Sequence, residues 1–192
     1  MGLQIEDGQG KANIAGVTDE NRLKVSSMSF PLEHEINHHD GESYSIPTSV
    51  TPTAGASTPT CILYIKNTSD MDMVVSEFML AVMGTDTTVS MKLGDSGTPS
   101  NTAAVTPVNR NAGSGNEADV TAYHGADGAG IGGISGGSTF MGVVVRDDAP
   151  SQYYAPLSAF IVPKNKVFTL WASGNCTNLL VGVGVSFHKP GH

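Results

Sequence analysis

The sequence predicts an all-β protein: a jelly-roll-like β-sandwich with an extended N-terminal β-hairpin arm. Three observations carry this reading. Apolar residues recur mostly with period two, the signature of half-buried strands, and long 3.6-residue patterns are missing. Short apolar runs are separated by Gly, Pro, Asn and Asp turn signals without helical patterns between them, which points to a sandwich. Only 15% of the 192 residues are charged, against roughly 25% in typical domains, so Ser, Thr, Asn and Gly must supply solubility.

The arm covers residues 1–30. Residues 3–6 and 11–17 read as short strands around Asp7-Gly8-Gln9-Gly10, where Asp-Gly is a strong hairpin signal. A second turn at residues 18–21 leads into the alternating Arg22-Leu23-Lys24-Val25-Ser26. These few apolar residues cannot build a core, so the arm is expected to dock on another surface. The sandwich domain covers residues 31–192. Its first stretch, residues 31–60, reads as polar and irregular, with Pro47, Pro52 and Pro59.

The core is expected to begin at Cys61-Ile62-Leu63-Tyr64-Ile65-Lys66-Asn67, a nearly continuous apolar run ended by an acidic turn. Residues 73–83 follow as a strand, because Val74, Val75, Phe78 and Val82 favour extended backbone over helix. Residues 87–93 alternate cleanly. Residues 94–139 read as a long Gly-rich loop region without a convincing strand, with one short helical turn near residues 117–123; a loop of that length is usually functional. Strands resume at residues 140–145, 159–162, 166–171 and 179–187. In the last of these, Gly182 and Gly184 suggest a bulge or a close approach.

Charge and composition exclude several functions. With 10 basic against 18 acidic residues the formal net charge is −8, and no Lys or Arg run exists to neutralise phosphates, so no nucleic-acid partner is expected. No apolar run approaches a membrane span and no basic amphipathic stretch is present, so no membrane partner is expected either. The opening residues lack the segments of a signal peptide, so synthesis and folding in a cytoplasm are expected, with Cys61 and Cys176 as free thiols.

Four patterns invite a chemical reading. His34-Glu35-Ile36-Asn37-His38 fits H-E-x-x-H, in which one helical face presents two zinc ligands and a general base. Here Pro31 and Gly41 bracket too short a helix, and Tyr44 stands where a longer metzincin pattern needs a third His, so the stretch reads as a polar loop. Gly128-Ala129-Gly130-Ile131-Gly132-Gly133 satisfies G-x-G-x-x-G, but glycines continue where a dinucleotide site needs a helix to start. Asp70 and Asp72 begin like a calcium loop that Val74 interrupts, which leaves an acidic turn. No Gly-x-Ser-x-Gly elbow is present. The Met residues at 71, 73, 79, 83 and 91 suit adaptable core or interface filling. The expectation is therefore no enzyme, no cofactor and no metal site.

Four blocks carry a family resemblance. Ile5-Glu6-Asp7-Gly8-Gln9-Gly10 followed by Asn21-Arg22-Leu23-Lys24-Val25 is one. The others are Leu63-Tyr64-Ile65-Lys66-Asn67, Val108-Asn109-Arg110-Asn111-Ala112-Gly113-Ser114 and Ile161-Val162-Pro163-Lys164. In this order they resemble the small capsid decoration, or cement, proteins of tailed bacteriophages. The resemblance implies a virion structural protein, commonly a homotrimer, that binds the major capsid protein on the head exterior and bridges neighbouring capsomers. An acidic chain kept off packaged DNA fits that location. The residues expected at capsid or subunit interfaces are Leu3, Ile5, Ile14, Val17, Arg22, Leu23, Val25 and Arg110. The alternative is a head-fibre, neck or tail component that binds a host receptor or glycan through residues 94–139, with Tyr123 and His124 as contacts.

Overall fold

A computed structural model describes residues 4–6, 12–14, 42–52, 58–126, 130–149, 151–154 and 160–188. Its compact units are residues 1–31 and 32–192. In the first, strands β1 (Gln4–Glu6) and β2 (Ala12–Ile14) pair antiparallel, with Ile5 opposite Asn13. These strands coincide with the two short runs flanking the Asp-Gly turn.

The second unit contains the remaining strands. In chain order they are β3 (Ser43–Val50), β4 (Thr60–Asn67), β5 (Asp72–Met83), β6 (Thr87–Leu93), β7 (Ser96–Ser100), β8 (Thr102–Ala104) and β9 (Val108–Asn109). They continue with β10 (Val120–Gly125), β11 (Gly132–Ser135), β12 (Ser138–Val145), β13 (Gln152–Tyr154), β14 (Phe160–Val162), β15 (Val167–Ser173) and β16 (Asn178–His188). No α-helix occurs among the described residues.

One sheet runs β12-β6-β15-β4-β10-β8 and the other β13-β5-β16-β3-β9, with β14 also pairing to β5. Their inner faces enclose one core, and the fold is an all-β sandwich. Period-two patterning puts Tyr44 and Ile46 of β3, Phe78 and Leu80 of β5, Phe168 and Leu170 of β15, and Val181 and Val183 of β16 inside. Phe78 and Phe168 meet across the two layers with ring centroids 5.7 Å apart.

The near-continuous apolar run of β4 has a specific cause: this strand is buried on both faces. Ile62, Leu63 and Ile65 join the main core. Cys61 and Tyr64 join a second cluster outside the sheet with Ile131, Ile134 and Val167. A strand covered on both sides loses its polar alternation.

Two expectations are corrected. Residues 31–60 are not irregular throughout, because β3 spans Ser43–Val50 and buries Tyr44, Ile46 and Val50. Pro47 hid it, yet this proline stands opposite Gly182 of β16, while β9 pairs only at Tyr44 and Ser45 on the other side. Proline is tolerated where no neighbour needs its N–H.

Residues 94–139 are likewise not a strandless loop, for β7 to β11 lie there, and no helical turn forms at residues 117–123. Strands β8 and β10 extend the sheet beyond β4, β9 adds to β3, and β7 pairs with β11. Short strands of Gly, Ser, Thr and Ala are held by backbone ladders onto existing sheets, so their own patterning is faint.

Candidate functional site

Two of the four blocks that carry the resemblance, residues 63–67 and 161–164, meet in the structure through Asn67, at the end of β4. Its side chain is fully buried. Its amide donates to the carbonyls of Met71 and Val162, both at 2.8 Å, and its oxygen accepts the Ser69 N–H at 2.9 Å. Ser69 Oγ accepts the Met71 N–H at 3.0 Å. Because Val162 belongs to β14 in the opposite sheet, one side chain ties the acidic turn and both layers together. Lys164 pairs with Asp70 at the solvent side of the same turn. That ion pair holds the Asp70 carboxyl below its ordinary value through the Lys164 hydrogen bond and charge.

The block around Arg110 forms a loop made of local side chain to backbone bonds. Asn109 Oδ1 accepts the Asn111 N–H at 2.8 Å, Asn111 Oδ1 accepts the Gly113 N–H at 3.0 Å, and Ser114 Oγ accepts the Asn116 N–H at 3.1 Å. Asn and Ser favour such turns because their side chains imitate a backbone acceptor. Arg110 reaches across β16 to pair with Glu77 of β5. It passes over Gly184, where any Cβ would overlap both partners. The register also shifts between Gly184 and Val185. The bulge expected at these glycines is therefore present, whereas the close approach is made by the Glu77 and Arg110 side chains and not by another backbone. Asn116 hydrogen-bonds Glu42, which in turn accepts the Tyr44 hydroxyl at 3.2 Å. Burial first, and then the Glu42 charge, push the Tyr44 hydroxyl up to about 12.

The segment between β6 and β12 builds the most polar buried cluster. Asp95 is 4% exposed and accepts the Gly137 N–H at 2.7 Å, the Thr169 hydroxyl at 2.5 Å and the Trp171 indole N–H at 3.1 Å. It thereby fixes both ends of the β7–β11 ribbon to β15. A Cβ at Gly137 would collide with this carboxylate. Lys92 Nζ lies 3.9 Å from the centroid of the Trp171 ring. Between the ribbon and β4 an open groove of about 410 Å³ is lined by Pro59, Thr60, Cys61, Ile131, Ile134 and Trp171.

Sequence reading missed Asp95, Thr169 and Trp171 as a unit. The alternation of β15 puts Thr169 and Trp171 on one face, but their carboxylate partner lay in a stretch read as loop.

The expected interface residues fall in different places. Ile5 and Ile14 lie in the paired strands β1 and β2. Leu3, Val17, Arg22, Leu23 and Val25 lie outside the described residues, as does the His34 to His38 pattern. Arg110 is engaged with Glu77 of its own chain. Tyr123 stacks on Tyr64 at 6.1 Å, and His124 Nδ1 contacts the Gly125 carbonyl at 2.8 Å; both lie in β10, between β4 and β8.

The described part of the Gly-rich motif, from Gly130 on, runs into β11 and not into a helix. Asp70 and Asp72 flank a turn, and no cluster of three or more metal-ligating side chains occurs among the described residues. Cys61 and Cys176 are both buried free thiols. Comparison with protein-family models, curated proteins and solved structures finds no match.

Proposed function

We propose that this chain is a virion structural protein, a decoration subunit that binds the major capsid protein on the exterior of a tailed-phage head and stabilises contacts between capsomers. The observation that carries the reading is the winding of the body strands. With β13 and β14 counted as one, the order β13/β14-β5-β16-β3 packs on β12-β6-β15-β4. We read this as a jelly roll, in which two Greek keys share eight strands, a scaffold of viral capsid and lectin domains.

A fold hosts many functions, so the quoted sequence blocks narrow the reading. Three of them lie at structural junctions of the body: the Asn67 clamp, its Val162 acceptor and the Arg110 loop. The fourth falls in residues 1–30, which on this reading form the arm that adds a strand to a neighbouring sheet edge. Binding only the assembled shell stabilises it by linkage.

The test mixes purified chain with expanded heads that lack it and measures saturable cosedimentation. The full chain is expected to bind and a variant without residues 3–25 to bind more weakly. Equal binding by both would refute the arm, and no binding by either would refute the decoration reading. The groove beside Trp171 favours one second reading, a glycan-binding head-fibre or tail module. Binding of the isolated chain to host cells, abolished by Trp171→Ala, would select it.

A further inference from the structure

The two large sheets leave four edges among the described residues, and three are blunted. Strand β8 has 3 residues and β9 has 2. Strands β13 and β14 have 3 residues each and are separated by Pro156 in the sequence. The fourth edge, β12, is different. It presents 8 residues, Ser-Thr-Phe-Met-Gly-Val-Val-Val, without a charge or a proline. Proteins normally protect such an edge with charge, proline, brevity or a bulge, because its unpaired N–H and C=O groups recruit another strand. In β12 the register shift between Thr139 and Met141 affects the first residues and leaves Met141 to Val145 unprotected.

Met141, Val143 and Val145 pack on the core, while Val144 is 55% exposed and Phe140 36% exposed. The backbone is regular from Met141 to Val145, each residue opposite one residue of β6. From Met141 to Val145 the strand is therefore a regular, apolar template with one side free among the described residues.

We infer that β12 is a self-association edge, at which two copies of this chain pair their β12 strands antiparallel about a two-fold axis. Charge selects the occupant. The chain carries a net charge of −8, so most of its surface repels a second copy, but β12 is neutral over its whole length. A charged partner strand finds no counter-charge there. In a self-pair centred on Val143, this residue faces its own copy, Gly142 faces Val144, Met141 faces Val145, and Arg146 faces Phe140. No like charges then lie opposite each other, and every central cross-strand pair is uncharged. The contact is isologous, so it closes after two copies. It does not depend on the head-binding reading, and the three-fold contact that the family resemblance implies is the competing outcome of its test.

Sedimentation of the full chain at about 100 µM, where even weak contacts report, gives the mass in solution. The wild type is expected at twice the chain mass. Val144→Lys changes an exposed side chain, so it is expected to fold with an unchanged melting temperature and to weaken association at least about tenfold. Gly142→Lys has room, since a Cβ added there would lie 3.9 Å from its nearest neighbour, and is expected to act in the same way. Val108→Lys, at an equally exposed position on the short edge β9, is expected to leave the mass unchanged. A monomeric wild type, a three-copy mass, or a Val144→Lys protein that still pairs would each overturn the proposal.

Discussion

At the residue scale, the structure turns on a few polar side chains that satisfy several buried groups at once. Asn67 is the clearest case, since removing it strands two carbonyls and one N–H at a junction between sheets. Asn67→Ala is expected to lower unfolding stability by roughly 2–4 kcal/mol in chemical denaturation, because each unsatisfied buried group costs about 1–3 kcal/mol. Cys61 makes a second prediction. Burial first, and then the Asp95 charge, push its thiol from 9.0 up to about 12. An unfolded chain releases this proton near pH 9 while the native chain holds it. Stability is therefore fully present below pH 9 and falls as pH rises toward 12. Native protein is expected to resist a thiol-reactive disulfide at pH 8 and to react fully in denaturant. Rapid modification of Cys61 in the folded state would contradict the burial.

At the element scale, the β7–β11 ribbon is held by Asp95 more than by its own sequence. Asp95→Ala leaves the Gly137 N–H and the Thr169 and Trp171 donors without their acceptor. It is expected to cost roughly 2–4 kcal/mol. Hydrogen exchange is the sensitive measurement, with β7 and β11 amides losing protection before those of β5 and β16. Uniform loss across the sandwich would show that the ribbon is no separate unit.

This scale also shows what the sequence made legible. The strands β4, β5, β6, β12, β15 and β16 were readable because burial writes either alternation or a continuous apolar run into them. β3 was hidden by Pro47 and by serines on its outer face, and β7 to β11 by glycine and small polar residues. Their pairing is specified by the neighbours they join, which single-segment patterning does not record. The same limit concealed the Asp95 cluster, whose members are 74 and 76 positions apart. Arg110 was expected at an interface, while its partner Glu77 and the need for Gly184 beneath it emerge only when β5, β9 and β16 are brought together.

At the scale of the whole molecule, a low-charge, neutral-edged β-sandwich preceded by a short paired hairpin suits a subunit that is covered by neighbours in use. Few charges need desolvating when its polar surface is buried. The measurement that addresses the central claim most directly is a count of copies on expanded heads, by imaging after saturation with the purified full chain. Density is expected at repeated, symmetry-related positions between capsomers, with heads that resist disruption at higher temperature than undecorated ones. Empty lattice sites, or density confined to a single vertex, would contradict it.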